Sequence, residues 1–200
     1  MGNNISNIYK GSTLSMHDDE LWQVYNDNGT PIEGKGASKQ EFNSNTDLIM
    51  GNSHVWFWKT DGTTTEIMLQ KRSLNKPNRP GWYHISAGGH INVGETPVDA
   101  AVREVQEEMG LDIDPTKLHY VHSVRIIPRD PRDIVNVYLY RLNGDEKITH
   151  LDGEVDSYEW RSVEKWKEIT KDAENNNLVP QGQLYFDTLT KALELIASKA

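Results

Sequence analysis

The stretch from Gly89 to Leu111 reads GHINVGETPVDAAVREVQEEMGL and contains the clearest helix signal in the chain. Thr96 is a good N-cap, Pro97 occupies the first helical position, where a missing N–H costs nothing, and Asp99 completes a capping box. Gly110 stands where a helix ends on a left-handed residue. The sequence therefore predicts a helix that begins after Thr96 and ends before Gly110.

The predicted helix has an apolar face and an acidic face. Its apolar residues recur at helical spacing and should face the core: Val98, Val102, Val105 and Met109. Glu104, Glu107 and Glu108 are three and four positions apart, so their like charges crowd onto another face and destabilise an isolated helix. One interpretation is a solvated acidic face. The other is a site for Mg²⁺ or Mn²⁺, since these cations prefer oxygen ligands.

The spacing of the polar residues decides between the two interpretations. Five residues separate Gly89 from Glu95, and seven more lead to the run Arg103-Glu-Val-Gln-Glu-Glu-Met-Gly-Leu111. This arrangement resembles the Nudix box, G-x5-E-x7-R-E-U-x-E-E-x-G-U with U aliphatic, and no position departs from it. The chain is therefore similar to the Nudix hydrolases, and strands before and after the box fall where that fold needs them.

The resemblance implies an α/β fold, in which a mixed β-sheet is sandwiched between helices (α/β/α). It also implies hydrolysis of a diphosphate linkage by attack of water on phosphorus. The three helix glutamates become ligands of Mg²⁺ or Mn²⁺, and Glu107 or Glu108 acts on the attacking water. Arg103 orients these carboxylates, and Glu95 supports the loop or the metal shell. Cations also suit an acidic protein that receives an anionic substrate.

Residues that precede the box resemble the isopentenyl-diphosphate isomerase subgroup of this family. The matching runs are LQKRSLNK at 69–76, PGW at 80–82 and SAGGH at 86–90. The resemblance implies that Arg72 and Lys76 bind the substrate diphosphate; the alternative is that they are ordinary loop charges. Further candidates are Lys39 and Arg79 for substrate, His54, His90 and Asp133 for metal, and Glu154 and Asp156 for an additional catalytic carboxylate.

One position departs from the isomerases, because Gly88 stands where they have a catalytic cysteine. Glycine has no proton to give to an allylic system, so the sequence favours a hydrolase over an isomerase. A non-catalytic module that binds a nucleotide or metabolite is another alternative, against which the intact glutamates count. The substrate stays open between a nucleoside diphosphate derivative and a small organic or prenyl diphosphate. Trp82 and Tyr83 are candidates for contacting it.

Composition limits the remaining possibilities. The 200 residues include 21 basic and 30 acidic side chains, and a net charge of -9 disfavours binding to a nucleic-acid polymer. Cysteine is absent, which excludes disulfides and thiolate chemistry. No apolar run approaches 18 residues and no signal-peptide centre is visible, so we expect a cytoplasmic protein without membrane attachment. We expect residues 1–18 to be flexible and 19–200 to form a single Nudix domain, with a homodimer as a possible assembly.

Outside the box, the pattern predicts mainly strands. The expected strands are 21–25, 54–58, 66–70, 121–127, 135–140 and 157–160. A turn is expected at 26–29, a hairpin turn at Asp61-Gly62 and an exposed loop at 73–83. Ser38 and Glu41 have capping-box spacing for a short helix, and a helical stripe begins at Gln183.

Overall fold

The computed structural model describes residues 20–126, 130–149 and 153–200. The expected flexible segment 1–18 and the expected strand end at Ile127 lie outside these ranges. The strands are β1 (Trp22–Tyr25), β2 (Pro31–Ala37), β3 (Ile49–Thr60), β4 (Thr65–Arg72), β5 (Tyr83–His84), β6 (Ala87–His90), β7 (His119–Ile126), β8 (Asp130–Arg141) and β9 (Val155–Ser162). The α-helices are α1 (Lys39–Ser44), α2 (Pro97–Met109), α3 (Val163–Ile169) and α4 (Gln183–Ala197), and short 3₁₀ turns occupy Pro115–Lys117 and Thr170–Asp172.

Strand β3 lies at the centre of a mixed sheet. It runs parallel to β8 over nine residue pairs, from Met50 opposite Asp133 to Trp58 opposite Arg141. On its other side β3 pairs antiparallel with β6 near one end and with β4 near the other. The sheet therefore combines parallel and antiparallel neighbours, as the sequence predicts.

Helices cover both faces of this sheet because alternate residues of β3 point to opposite sides. Trp56 and Trp58 pack in one apolar cluster with α3 and α4. Val55 and Phe57 pack in another cluster with α2. The predicted α/β/α sandwich is confirmed.

The divergence of β3 and β4 opens a pocket in the sheet. The two strands pair directly only from Trp58 opposite Ile67 to Thr60 opposite Thr65. Beyond that point β3 pairs with β6 and β4 pairs with the short β5, while β9 pairs with β4 along most of its length. The ends of β3 and β4 that lie near the box loop are therefore not paired with each other, and a gap that contains β5 and β6 separates them.

Helix α2 begins and ends at its predicted capping residues, and a hydrogen bond from β3 holds its start beside this gap. The Thr96 side chain accepts a hydrogen bond from the N–H of Asp99, and Gly110 ends the helix with φ of 65°, both as predicted. The Ser53 hydroxyl donates to the carbonyl of Pro97 at 2.6 Å and so ties the start of α2 to β3. Val98 and Val102 are only partly buried, whereas Val105 and Met109 are fully buried.

Other elements differ from the sequence expectation in extent. The predicted capping box of α1 is present, and the predicted hairpin and C-terminal helix are confirmed. Strands β2, β5 and β6 and helix α3 are not predicted: β2 is mostly exposed and lacks alternation, β5 and β6 have only two and four residues, and α3 has only seven. Strand β8 begins at Asp130, five residues before its apolar run. No helix in the described ranges is long and apolar enough to cross a bilayer.

Candidate active site

The gap between β3 and β4 forms a pocket of about 280 Å³ that brings most of the sequence-predicted site residues together. Its lining comes from the ends of β3, β4 and β6, the following loop and helix α2. The predicted residues that line it are Lys39, His54, Arg72, Lys76, His90, Glu104, Glu107, Glu108, Asp133 and Glu154. A larger cavity of about 520 Å³ lies near the β1–β2 turn and β7, and none of the three α2 glutamates lines it.

Arg103 organises the acidic face of α2. Its Nε and Nη2 donate to both oxygens of Glu95 at 2.7 and 3.0 Å. Its Nη1 donates to Glu104 at 2.8 Å and to Glu107 at 3.0 Å, and Nη2 also reaches the carbonyl of His90 at 2.8 Å. All five N–H groups therefore have acceptors. This arrangement is the orienting role that the box predicts for Arg103.

The charges of this network shift the proton affinities of its members. Burial alone would raise the pKa of Glu95, but hydrogen bonds from Arg103 and from the backbone N–H of Asn92 lower it below its usual value. Burial alone would lower the pKa of Arg103, but its carboxylate partners raise it. Both groups are therefore ionised at neutral pH, and Glu95 joins the box loop to α2 through a charged pair.

Glu104 is the most strained charge in the site. Its side chain is 13% exposed and rests against Gly89, where a Cβ atom would lie 2.2 Å from Oε1. Burial raises the pKa of Glu104 to about 7, Arg103 opposes that shift, and the negative charges of Glu107 and Glu20 add to it. A side chain at residue 89 would therefore force the Glu104 carboxylate to move away from the backbone of β6.

The Glu108 side chain is hydrogen-bonded to strands β4 and β6. Its side chain is buried, and Oε2 accepts hydrogen bonds from Gln70 Nε2 at 2.9 Å and from the Gly88 N–H at 3.3 Å. Tyr158 also donates its hydroxyl to the Glu108 backbone carbonyl. The position of this carboxylate is therefore fixed by three elements that are distant in sequence.

The donor set fits a hard divalent cation. The three α2 glutamates supply only carboxylate oxygens, which are the ligands that Mg²⁺ and Mn²⁺ prefer. Within the described ranges, however, no group of three or more acidic or histidine side chains already converges as a metal cage. Arg103 holds two of the carboxylates, and Glu108 is turned toward Gln70. Glu104, Glu107 and Glu108 are the residues that would hold a cation, once their carboxylates turn toward one another.

Basic residues also line the pocket. Arg72, at the end of β4, donates from Nε and Nη2 to the carbonyl of Asn78, which orients its guanidinium. Lys76 forms an ion pair with Glu154. Lys39 lines the pocket from the start of α1. The pocket thus contains both carboxylates and cationic side chains, a combination suited to a cation-bound anion.

The candidate metal ligands outside the box have protein partners. His54 is buried, and its Nδ1 lies 3.0 Å from the hydroxyl of Tyr185. His90 stacks on Trp22 with ring centroids 3.5 Å apart. Asp133 is also buried and lies on β8. These three side chains line the pocket, but they do not form a metal cage with other acidic or histidine residues of the described chain.

Arg103 and Glu95 do not line the pocket themselves, and neither do four further sequence candidates. Arg79 lies over the ring of Trp82 and pairs with Glu174. The ring of Tyr83 packs against the apolar cluster beneath α4. Asp156 lies on β9 and is exposed. Trp82 and Tyr83 do not line this pocket, and Tyr83 donates its hydroxyl to Glu159 on β9, so their contact with the substrate stays a prediction.

Several pocket residues are absent from the sequence prediction: Glu20, Trp22, Asn52, Gln70 and His84. Two of them have a recognisable signal. Asn52 interrupts the apolar run of β3, and Gln70 interrupts that of β4. A buried polar residue in a central strand indicates either a structural hydrogen bond or a binding site.

Gly88 also has a steric role. A Cβ atom there would lie 2.3 Å from the carbonyl oxygen of Ser53 and 2.8 Å from Ile85 Cδ1. The backbone of β6 therefore passes too close to β3 for any side chain at this position. The cysteine of the isomerases could not be accommodated at residue 88 without a shift of the backbone.

The fold and this pocket define a member of a known class. A model of the NUDIX domain family matches residues 52–181. The chain therefore belongs to the Nudix domain family, and the match includes β3, the whole box and the approach to α4.

Individual relatives agree with this assignment. The chain is 32% identical over 91 residues to an uncharacterized Nudix hydrolase of Clostridium acetobutylicum, a match that covers 44% of each chain. It is 32% identical over 111 residues to isopentenyl-diphosphate Delta-isomerase of Cutibacterium acnes, covering 52% of this chain and 55% of the isomerase. These matches span about half the length of either relative, and the second supports the similarity to the isomerase subgroup. A crystal structure from Deinococcus radiodurans superposes with a TM-score of 0.62 at 18% identity, covering 88% of this chain and 98% of that one.

Proposed function

We propose that the protein is a Mg²⁺- or Mn²⁺-dependent hydrolase that cleaves a diphosphate linkage by attack of water on phosphorus. The observation that carries the proposal is the presence of both charge types in one pocket. Its lining includes Glu104, Glu107 and Glu108 from α2 together with Arg72 and Lys76 from the end of β4 and the loop that follows. A diphosphate placed between them would contact the basic residues directly and the carboxylates only through a cation.

The residues of the box then have distinct roles. Glu104, Glu107 and Glu108 would hold the cation, and Arg103 and Glu95 position them by the hydrogen bonds described above. A bound Mg²⁺ or Mn²⁺ would neutralise substrate charge and lower the pKa of a water molecule. Glu107 or Glu108 would orient that water or accept its proton. Of the two, Glu108 has the more fixed position, because Gln70 and the Gly88 N–H already hold one of its oxygens.

Substrate anions would be oriented by Arg72 and Lys76. The pairing of Lys76 with Glu154 keeps the lysine at the pocket in the absence of substrate. A diphosphate would compete with Glu154 for this ammonium group, which would release a carboxylate beside the reacting phosphorus. Glu154 is therefore the better placed of the two additional candidate carboxylates, since Asp156 does not line the pocket.

Two alternatives receive less support from the geometry. Isomerisation of isopentenyl diphosphate needs a proton donor where Gly88 leaves no room for a side chain. A module that only binds its ligand does not require the five-donor network of Arg103, which is costly to maintain in a buried acidic face.

The test is turnover on a panel of nucleotide sugars, dinucleotides, nucleoside triphosphates and prenyl diphosphates, with Mg²⁺ or Mn²⁺. The matched control is Glu108→Gln, which retains the shape of the side chain and removes its charge. We expect cation-dependent release of product by the wild type and loss of it in the variant. Thermal stabilisation by a panel member without turnover would favour the binding module. Conversion of isopentenyl to dimethylallyl diphosphate would favour the isomerase.

A further inference from the structure

Asn52 is a polar side chain for which the protein itself provides no partner. It lies in β3 and is 5% exposed. Its buried Nδ2 has no hydrogen-bond partner among the described residues, and the residue lines the pocket. A buried amide without a partner destabilises a protein, so its presence in a binding pocket points to a ligand that completes it.

The position of Asn52 in the sheet shows which part of a ligand it would meet. Its neighbours across the sheet are His90 on β6 and Val135 on β8, so its side chain shares their face. Asp133, two residues before Val135, lies on that same face and lines the pocket. The negative charge of Asp133 disfavours a phosphate at this position, and two cations of the pocket, Arg72 and Lys76, belong to β4 and the loop after it, not to β3 or β8.

The remaining lining excludes a hydrocarbon chain from this position. Among the described residues that line the pocket, Trp22 is the only one with an apolar side chain. A prenyl tail would find little apolar surface and would leave the Asn52 amide unpaired. A hydroxyl group would suit the position, because it accepts from an amide N–H and donates to a carboxylate.

On this basis we propose that Asn52 is a specificity-determining residue that donates a hydrogen bond to a hydroxyl-bearing organic group attached to the substrate diphosphate. The inference rests on the proposed function and narrows it: the substrate is a sugar- or ribose-bearing diphosphate and not a prenyl diphosphate. A site built to hydrogen-bond a hydroxyl discriminates strongly against an analogue that lacks it.

The variant Asn52→Leu separates this role from a structural one. Leucine has a similar size, so it removes the amide and keeps the volume. With ADP-ribose as the hydroxyl-bearing probe, we expect KM to rise about tenfold or more and kcat to stay within about twofold, because Asn52 contacts a part that does not react. With isopentenyl diphosphate, which has no hydroxyl, the variant should behave as the wild type does.

The melting temperature of the apoprotein also separates the two roles, because a structural role of Asn52 predicts that Asn52→Leu melts at a lower temperature than the wild type. Because the Nδ2 of Asn52 is unpartnered, we expect the apoprotein of Asn52→Leu to melt at the same temperature as the wild type or higher. The matched control is Asn136→Leu on the adjacent strand β8. The Asn136 amide donates to the Asn52 carbonyl at 3.3 Å and accepts from Ser123 at 2.6 Å. That control should melt lower and leave the KM for ADP-ribose unchanged.

Failure of the inference is distinguishable from failure of the proposed function. Wild-type turnover with an unchanged KM in Asn52→Leu, or an equal loss on both probes, would overturn the role of Asn52 and leave the hydrolase intact. If the wild type cleaves no panel member, calorimetric titration of ADP-ribose with Mg²⁺ replaces the kinetics. Weaker binding by Asn52→Leu than by the wild type would then support the inference, and absence of wild-type binding would overturn it.

Discussion

Helices α2 and α4 pack on opposite faces of the same sheet, yet they stabilise and serve it in different ways. The buried face of α2 includes two alanines, Ala100 and Ala101, and its other face carries the charges bound by Arg103. The buried face of α4 is bulky and contains Tyr185, Phe186, Leu189 and Leu193. Helix α2 therefore presents polar groups for the proposed reaction, whereas α4 fills the core.

The local signals of the two helices differ in the same way. Helix α2 has a complete capping box and a left-handed glycine at its end. Helix α4 begins at Gly182 with no side-chain cap. The capping box and the left-handed glycine fix the residues at which α2 begins and ends, whereas burial of apolar surface stabilises α4. Substitutions on the polar face of α2 should therefore change the reaction rate, and substitutions in α4 should change stability.

The largest effect is expected for Glu104→Gln. We expect kcat/KM to fall about a thousandfold or more, because a cation ligand and its charge are lost. The free energy of unfolding should change by less than about 1 kcal/mol, since loss of the hydrogen bond to Arg103 opposes relief of a buried charge. Steady-state kinetics and urea denaturation measure the two quantities. Strong destabilisation would mean that α2 also depends on its charged face for folding.

Leu189→Ala is the corresponding change in α4. Leu189 is fully buried between α4 and the sheet, so truncation should lower the free energy of unfolding by about 2 to 5 kcal/mol. Activity per folded molecule should stay within about twofold. Leu184→Ala is the matched control, because Leu184 on the same helix is 73% exposed and should cost less than about 0.5 kcal/mol. Equal effects of the two substitutions would contradict the role assigned to α4.

Gly88→Cys tests the strand between the two helices. Since a Cβ atom at residue 88 would lie 2.3 Å from the Ser53 carbonyl, we expect destabilisation of about 3 kcal/mol. Supplying the cysteine should not create isomerase activity, because β6 must shift to accept it. Thermal denaturation and an assay of isopentenyl diphosphate isomerisation check these outcomes. A stable variant with isomerase activity would show that the close approach of β6 to β3 is not a barrier.

Tyr185→Phe should have the smallest effect and links α4 to the pocket. The Tyr185 hydroxyl accepts from Trp56 Nε1 at 2.7 Å and lies 3.0 Å from His54 Nδ1. Its removal takes an acceptor from the buried Trp56 N–H, so we expect a loss of about 1 to 2 kcal/mol in the free energy of unfolding. Tyr120→Phe is the control, since Tyr120 is exposed and its hydroxyl is hydrogen-bonded to Ser123. A drop in kcat/KM larger than tenfold in Tyr185→Phe would show that α4 contributes to the reaction as well as to stability.

The sequence predicts most of what depends on short-range patterns. The bounds of α2 and its caps, the hairpin of β3 and β4 and the capping box of α1 are confirmed. The role of Arg103 is visible from its place in the box, although the pairing of one guanidinium with three carboxylates requires coordinates. The short helix α3 and the exposed strand β2 lack a periodic signal and are missed for that reason.

The candidate substrate contacts were harder to predict because they come from separate elements. Arg72 and Lys76 do line the pocket, whereas Trp82 and Tyr83, a few residues further along, do not. Composition of the loop cannot distinguish these pairs, since all four residues are polar or aromatic and follow the same strand. The direction in which the loop turns decides which of them face the box.

The sequence by itself determined the family, the box helix and the identity of the carboxylates, because these follow from residue types at fixed separations along one chain segment. The tertiary structure alone decided that β3 and β4 diverge, that Gln70 holds Glu108, that Gly88 has no room for a side chain and that Asn52 enters the pocket. The physical reason is that hydrogen bonds, steric contacts and burial between residues far apart in sequence depend on how the strands pair, which no local pattern specifies.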